Sequence, residues 1–246
     1  MLEEERFNRI LDMLNKKGSI TNRELVARLG ASESTIRRDI TFLASSGKLI
    51  KVHGGAIAAG NEMSSKDFEV NTRRMINADK KQSITKYAAS LIADGDLVYI
   101  DAGTTTELLV KNLPKGIDAC FVTNAVSHAI LLEKKGYRAY IPGGRLKPVT
   151  EAIIGSEAIR SLRMYNFSKG FFGANGISHD KGITTPDLSE SLIKEFALSQ
   201  CKKRYILADS SKFDSISSVT FSRLEDVTII TDDLPTKYKK YNIIKV

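Results

Sequence analysis

The sequence predicts two α/β modules of unequal size: a small winged helix-turn-helix followed by a larger, mostly parallel α/β domain. Short apolar stripes at helical spacing fill the first 45 residues, and a glycine-containing strand pair follows them. From residue 77 onward, apolar β-branched runs alternate with helical patterns, which is typical of a parallel sheet covered by helices. The expected bounds are 1–58 for the first domain, 59–76 for a linker and 77–246 for the second domain.

The composition is that of an ordinary globular protein of 246 residues, with 42% hydrophobic and 27% charged residues. Lysine and arginine (37) outnumber aspartate and glutamate (29), so the formal net charge of +8 is compatible with a polyanionic partner. No run approaches the roughly 18 apolar residues of a membrane-spanning helix. The acidic start is unlike a secretory signal, and the two cysteines and three histidines lack metal-ligand spacing. We therefore expect a cytoplasmic protein with no metal and no membrane partner.

The first module begins with an apolar helical stripe over Phe7–Leu14, which ends at Gly18. Thr21–Glu24 fits a capping box at the start of a second helix, in which the threonine hydroxyl and the glutamate carboxylate satisfy free amides. Gly30 ends this helix, and the hydroxyl of Ser32 is suited to cap a third one. Two helices joined by such a tight turn predict a helix-turn-helix.

The third helix is the one that enters the major groove of DNA in such a motif. Gly47–Ala56 predicts a strand, a glycine turn and a returning strand, which would form a wing beside that helix. Basic residues are concentrated on the helix and the wing. The candidate DNA-binding residues are Ser32, Ser34, Thr35, Arg37, Arg38, Lys48, Lys51 and His53.

The second domain is predicted to hold six strands, at Leu97–Ile100, Phe121–Thr123, Ala139–Ile141, Phe171–Gly173, Tyr205–Ala208 and Val227–Thr231. Its helices are expected near Ile84–Ile92, Thr106–Leu113, Ala125–Lys134, Ser156–Leu162 and Ser189–Cys201, with a short linker helix near Phe68–Met75.

Polar and small residues follow several of these strands, and ligands of parallel sheets bind at that edge. Gly103, followed by hydroxyl residues at a helix start, suits an oxyanion, because helix-terminal amides and threonine hydroxyls are donors. Basic side chains can neutralise charge there, and carboxylates and amides can hold sugar hydroxyls. A phosphorylated sugar or polyol fits these residues: Asp101, Gly103, Thr104, Thr105, Thr106, Thr123, Asn124, Gly143, Gly144, Arg145, Asn175, Gly176, Asp209 and Lys212.

The chain resembles one known family in both of its predicted domains. Ser32-x-x-Thr35-Ile36-Arg37-Arg38-Asp39-Ile40, followed by His53–Ala56, resembles the N-terminal signature of DeoR-type bacterial transcriptional repressors. The segments after the strands resemble that family's sensor domain: Asp101–Thr106, Thr123-Asn124, Gly143–Arg145 and Asp209–Phe213. The resemblance implies a sensor fold similar to ribose-5-phosphate isomerase and glucosamine-6-phosphate deaminase, and a phosphorylated sugar or polyol as ligand.

The resemblance also implies roles for individual residues of the first domain. Arg37 and Arg38 would contact operator DNA, with Thr35 and Ser32 near them. Asp39, an acid among phosphate-binding residues, is expected to orient Arg38 or a neighbouring amide.

In the second domain, the resemblance implies that Gly103, Thr104 and Thr105 hold the phosphate, with support from Lys212. Glu190 and Lys194, four residues apart on one predicted helix, also fit a family position.

The identity of the sugar is indicated by resemblance to one subgroup of the family. Gly173–Ile177, Thr184–Asp187 and the Ser32–Thr35 start of the third helix resemble the fructose-operon repressors, whose inducer is fructose 1-phosphate. Tagatose 6-phosphate and glycerol 3-phosphate are open alternatives.

The predicted function is a DNA-binding repressor of a sugar-utilisation operon, regulated by a sugar phosphate and acting as a homodimer or homotetramer without a cofactor. The alternative is a sugar-phosphate isomerase or deaminase with an accessory DNA-binding domain. That enzyme needs a carboxylate that moves a proton, and the spacing of Asp101, Glu190 and Asp209 marks no acid–base pair. A constitutive DNA-binding structural protein leaves the strand-end segments unexplained. We therefore expect a regulator and not an enzyme.

Overall fold

The computed structural model describes residues 2–52, 54–58, 74 and 77–246 of the chain. Two sequence predictions fall outside these residues: His53, and the helix near Phe68–Met75, of which only residue 74 is described. The described residues form two compact units, built mainly from residues 2–58 and 78–246.

The first unit is a winged helix-turn-helix of three helices and a small antiparallel sheet in the order β1-β3-β2. The elements are α1 (Glu3–Lys17), β1 (Ser19–Thr21), α2 (Asn22–Leu29), α3 (Glu33–Ser45), β2 (Leu49–Val52) and β3 (Gly55–Ala58). The predicted caps are confirmed. The Thr21 hydroxyl accepts from the Glu24 amide at 3.1 Å, and the Ser32 hydroxyl accepts from the Thr35 amide at 3.2 Å. Gly30 ends α2 in the left-handed region, with φ 64°.

Asp39 does not orient Arg38, contrary to the expectation from the sequence. It lies on the buried side of α3, is 4% exposed, and faces α1. Its carboxylate accepts two hydrogen bonds from Arg6 of α1, at 2.5 Å from Nε and 2.9 Å from Nη2. This bidentate ion pair joins α1 to α3, 33 residues apart in the chain.

The second unit is built on a seven-stranded parallel sheet in the order β15-β14-β12-β9-β4-β5-β6. Its strands are β4 (Leu97–Ile100), β5 (Cys120–Thr123), β6 (Arg138–Tyr140), β9 (Phe167–Gly173), β12 (Cys201–Leu207), β14 (Thr228–Thr231) and β15 (Ile243–Lys245). The helices are α4 (Ala78–Ser90), α5 (Thr104–Asn112), α6 (Val126–Lys134), α7 (Ser156–Leu162) and α8 (Leu188–Ser199).

Two smaller sheets complete this unit. One is the hairpin of β7 (Arg145–Lys147) and β8 (Ala152–Ile154). The other is antiparallel and contains β10 (Gly176–Ser178), β11 (Gly182–Thr185) and β13 (Val219–Ser222).

Helices cover both faces of the large sheet, as the sequence predicted. Val98 and Ile100 of β4 belong to one apolar core, together with buried residues of α4, α5 and α6. Tyr99, between them in the strand, belongs to a second core with residues of α7 and α8. Successive side chains of a strand point to opposite faces, so a strand buried on both sides is apolar throughout.

The structure also differs from the sequence prediction in its helices and strands. The helix expected over Ser189–Cys201 ends at Ser199, and Cys201 begins β12, where burial raises the pKa of its thiol to about 12. Seven strands of three or four residues each were not predicted: β1, β7, β8, β10, β11, β13 and β15. Among the described residues, no helix has the length and apolar character needed to cross a bilayer. Within the same residues, no group of three or more acidic, histidine or cysteine side chains is gathered as metal ligands would be.

Replacing Asp39 with alanine should destabilise the contact between α1 and α3 by about 2 kcal/mol, because Arg6 then keeps its charge in a largely buried place without a partner. Amide hydrogen exchange in the two helices of the full chain measures this local stability. The matched control is Asp12→Ala, at an exposed position of α1, which should change it by less than about 0.5 kcal/mol. Equal effects of the two substitutions would show that the ion pair does not hold the helices together.

Candidate functional site

The exposed side of α3 carries the residues predicted to bind DNA. Ser34, Arg37 and Arg38 are exposed and Thr35 is half-buried. The Ser32 hydroxyl, which caps the helix, lies 2.9 Å from the Ser34 hydroxyl and 2.8 Å from the Thr35 hydroxyl. The helix therefore presents hydroxyl and guanidinium donors together at its N-terminal half, which is the part that reaches DNA in this motif.

The wing presents two further cations. Lys48 and Lys51 are exposed, and the Lys51 ammonium donates to the Thr41 hydroxyl of α3 at 2.8 Å. The Thr41 hydroxyl in turn donates to the carbonyl of Arg37 at 2.7 Å. The third predicted wing residue, His53, lies outside the described residues.

A buried ion pair lies at the carboxyl edge of the parallel sheet in the second unit. Asp101 directly follows β4 and is 1% exposed, and Lys194 of α8 is 4% exposed. The Asp101 carboxylate accepts from the Lys194 ammonium and from the amide of Gly173 at 3.1 Å. The Lys194 ammonium also donates to the Gly173 carbonyl at 3.4 Å and lies 5.5 Å from the ring centroid of Phe221. This arrangement joins the ends of β4 and β9 to α8.

Burial raises the pKa of the Asp101 carboxyl above its ordinary value, because the charged form loses its hydration. The Lys194 ammonium and the Gly173 amide oppose that shift, and the charge of Glu190 adds to it.

The N-terminus of α5 lies directly after Asp101. Its first amides have no partner within the helix, so this end can bind an anion. The Thr106 hydroxyl donates to the Gly103 carbonyl at 2.9 Å and is buried, while Thr105 is half-buried. The Thr104 hydroxyl accepts from the ammonium of Lys81 at 3.4 Å. Lys81 thus brings a cation to the helix end predicted to hold an oxyanion.

Lys81 was missed by the sequence reasoning, although a signal for it existed. It lies in the first turn of α4 and is only 5% exposed. Ile84 and Ala88, which marked this helix in the sequence, lie three and seven residues further on, so Lys81 falls on the same buried side. A lysine on an apolar helical stripe requires an acceptor or an anion.

The side chains of Thr123 and Asn124, at the end of β5, form hydrogen bonds with backbone groups. The Thr123 hydroxyl accepts from the Ala125 amide at 3.1 Å. The Asn124 side chain accepts from the Ala102 amide at 2.9 Å and donates to the Ile153 carbonyl at 3.4 Å. These contacts fix the loop that carries Asp101 and the adjoining strand β8.

The segment after β12 is attached to the start of α4. Asp209 is buried, and its carboxylate accepts from the amide of Ser211 at 3.1 Å. The Lys80 ammonium donates to the Ser210 hydroxyl at 2.7 Å and pairs with Asp232 at 3.0 Å. Lys212, half-buried, lies in the same short 3-10 turn. The first turn of α4 therefore contacts both the α5 terminus and this segment.

Glu190 and Lys194 share one helix but bind different groups. The Glu190 carboxylate accepts from the Thr150 hydroxyl at 2.6 Å and pairs with Lys147 at 2.9 Å. Lys147 also pairs with Asp187 at 3.0 Å. Glu190 thereby holds the β7–β8 hairpin against α8.

Gly143, Gly144 and Arg145 form the start of that hairpin. The Gly143 amide donates to the Ser161 hydroxyl at 3.1 Å. Gly144 has φ 142°, and a Cβ there would lie 2.8 Å from the Ile154 carbonyl oxygen, so only glycine fits. Arg145 is exposed.

Asn175 and Gly176 lie at the start of the small antiparallel sheet. The Asn175 side chain accepts from the Thr185 hydroxyl at 3.3 Å. A Cβ on Gly176 would lie 2.4 Å from the Ser215 carbonyl oxygen. Asn175 therefore contacts the end of β11, and Gly176 allows the close approach of the backbone at Ser215.

Two family models match the chain. The DeoR-like helix-turn-helix domain matches residues 6–62, and the DeoR C-terminal sensor domain matches residues 76–233, more than half of the chain. The chain belongs to the DeoR family of transcriptional regulators. Its two domains imply binding of DNA and of a small effector.

Similar proteins agree with this membership. The uncharacterized HTH-type transcriptional regulator FruR of Bacillus subtilis is 39% identical over 250 residues, which cover 100% of this chain and 99% of that protein. The lactose phosphotransferase system repressor of Staphylococcus aureus is 34% identical over 97% of this chain and 95% of its own length. These relatives are regulators and repressors, and the DeoR-family chain is a regulator rather than an enzyme. A solved ribose 5-phosphate isomerase A of Methanocaldococcus jannaschii has a TM-score of 0.42 and 16% identity, with 56% of this chain and 55% of that chain covered.

Replacing Lys194 with methionine should destabilise the second unit by about 3 kcal/mol at neutral pH, because Asp101 is left charged and buried. The same change should raise the pKa of Asp101 further, since Lys194 now lowers it. The folded state then binds the proton more tightly than the unfolded state, so stability falls as pH rises between the ordinary and the raised pKa. The deficit against wild type should therefore shrink in acid.

Urea unfolding of both proteins at several pH values measures this deficit. The matched control combines Asp101→Asn with Lys194→Met. It has no carboxyl at position 101, so its deficit against wild type should not shrink in acid. A pH-independent deficit in the single variant would contradict the ion pair.

Proposed function

We propose that this DeoR-family protein represses a sugar-utilisation operon and that a sugar phosphate bound in its second unit regulates it. The sugar-phosphate proposal is supported by one observation: the Lys81 ammonium donates to the Thr104 hydroxyl at the N-terminus of α5, next to the Asp101–Lys194 pair. A cation and the amides at a helix N-terminus suit a phosphate, and a buried carboxylate and ammonium suit sugar hydroxyls.

The proposed phosphate site comprises Gly103, Thr104, Thr105 and Lys212, with Lys81 added. Asp101 and Lys194 are proposed to contact the sugar. The other predicted residues are proposed to support the site through the contacts described above, and Arg145 is proposed as an exposed cation at its margin. We propose that residues 1–58 form the DNA-binding domain, residues 59–76 the linker and residues 77–246 the sugar-phosphate-sensing domain.

For the sugar we propose fructose 1-phosphate, on the resemblance of Gly173–Ile177 and Thr184–Asp187 to fructose-operon repressors. The second candidate is a phosphorylated sugar of the galactose type, such as tagatose 6-phosphate. The similarity to a protein named as a lactose phosphotransferase system repressor supports it.

DNA binding is proposed to use α3 and the wing, in a homodimer or homotetramer in the cytoplasm. Paired recognition helices read half-sites about one helical turn apart, or at multiples, so two copies give one operator complex. The effector is proposed to change operator affinity by a coupling free energy on the order of 1–3 kcal/mol.

Fructose 1-phosphate at about 100 times its dissociation constant should stabilise the second unit by about 2.7 kcal/mol. Lys81→Met, and Thr104→Ala combined with Lys212→Ala, should each remove most of this effect because they remove phosphate donors. Thermal unfolding with fructose 1-phosphate, tagatose 6-phosphate, glycerol 3-phosphate and free fructose measures it.

The matched control is Lys86→Met, at an exposed position of the same helix α4, which should keep the wild-type response. Stabilisation by tagatose 6-phosphate alone would replace fructose 1-phosphate as the proposed effector and would leave the proposed phosphate site unchanged. An undiminished response of the Lys81 variant would show that the phosphate lies elsewhere.

A further inference from the structure

A groove of about 530 Å³ lies within the first unit, between α2, α3 and the β2–β3 hairpin. Among its described lining residues, three are cationic and one is acidic: Arg23 at the start of α2, Arg37 and Glu33 on α3, and Lys51 on β2. The acid is already paired, because Glu33 accepts from Arg37 at 2.6 Å. The groove therefore keeps a positive excess, which suits an anion.

Arg23 was not among the residues predicted to bind DNA. It is exposed, and it has no acidic partner among the described residues. The preceding residue, Asn22, donates its backbone amide to the Gly54 carbonyl at 2.7 Å and so ties the start of α2 to the wing turn. The side-chain oxygen of Asn22 is buried without a hydrogen-bond partner among the described residues. A bound anion that carries an ordered water would satisfy this atom.

Arg37 and Arg38 lie on different sides of α3: Arg37 lines the groove, and Arg38 lies outside it. Glu33, Arg37 and Ile40, one turn apart along α3, line the groove. Arg38 lies about 100° further around the helix, with Ser34, and both are exposed. Thr41 accepts from the Lys51 ammonium and so holds this lysine against α3, one turn after Arg37, and both cations line the groove.

We infer that this groove binds a backbone phosphate of DNA through Arg23, Arg37 and Lys51, whereas Arg38 contacts base edges. The inference rests on the proposed DNA-binding role of α3. Phosphate contacts fix the register of a protein on any duplex, and base-edge contacts discriminate between sequences. The two arginines, adjacent in the sequence, thus have separate tasks, and two residues outside α3, Arg23 and Lys51, share the phosphate contact with Arg37.

The test compares two duplexes of equal length and composition, one enriched by the wild-type protein from a randomised pool and one with that sequence scrambled. Arg23→Ala and Arg37→Ala should each weaken binding to both duplexes by similar factors. Each should also reduce the slope of log affinity against log salt by about 1, because one phosphate contact is lost. Arg38→Ala should weaken binding to the enriched duplex by about 5- to 150-fold more than to the scrambled one.

The matched control is Arg28→Ala, an exposed arginine in the last turn of α2 outside the groove lining, which should leave the salt slope unchanged. Suppose that Arg23→Ala leaves the salt slope unchanged while Arg38→Ala loses discrimination between the two duplexes. This result would overturn the proposed phosphate site in the groove and would leave the DNA-binding role of α3 intact. Lost discrimination with Arg37→Ala would overturn the division between the two arginines. If neither arginine of α3 affects binding to the enriched duplex, the proposed DNA-binding role of α3 fails as well.

Discussion

The ion pair of Asp101 and Lys194 holds together the edge of the sheet on which the proposed effector site depends. Neither charge is stable in so buried a place without the other. Asp101 directly follows β4 and accepts from Lys194 of α8 and from Gly173 at the end of β9, so one carboxylate joins two neighbouring strands to α8. Because α5 begins three residues after Asp101, the same contact sets where the N-terminus of α5 lies.

The first turn of α4 connects this edge to the rest of the chain. Lys81 contacts Thr104 at the start of α5, and Lys80 contacts Ser210 after β12. In sequence, α4 begins at Ala78, directly after the proposed linker. In the proposed function, a phosphate held by Lys81 therefore acts on the first helical turn that follows the linker, which is where an effector can influence the DNA-binding domain.

The sequence predicted what depends on local chemistry. The capping box at Thr21 and Glu24 and the cap at Ser32 need only three or four residues, and the alternation of apolar strands and helices needs only their periodicity. Asp39 was misjudged because its partner, Arg6, is 33 residues away and no spacing links them.

The site itself was only partly predictable. Its strand-end segments were predicted because ligand sites of parallel sheets lie at that edge. The pairing of Lys194 with Asp101 spans 93 residues, and the groove around Arg23 forms only when α2, α3 and the wing pack together. Short strands such as β7, with the sequence Arg-Leu-Lys, lack the apolar run that identifies a strand.

Coupling between the two domains is tested most directly by the affinity for the enriched duplex, measured without and with saturating fructose 1-phosphate. The proposed function predicts a change of about 5- to 150-fold. By linkage, saturating duplex must change the affinity for fructose 1-phosphate by the same factor. Equal duplex affinity in the two conditions, with the sugar phosphate demonstrably bound, would contradict regulation by this effector.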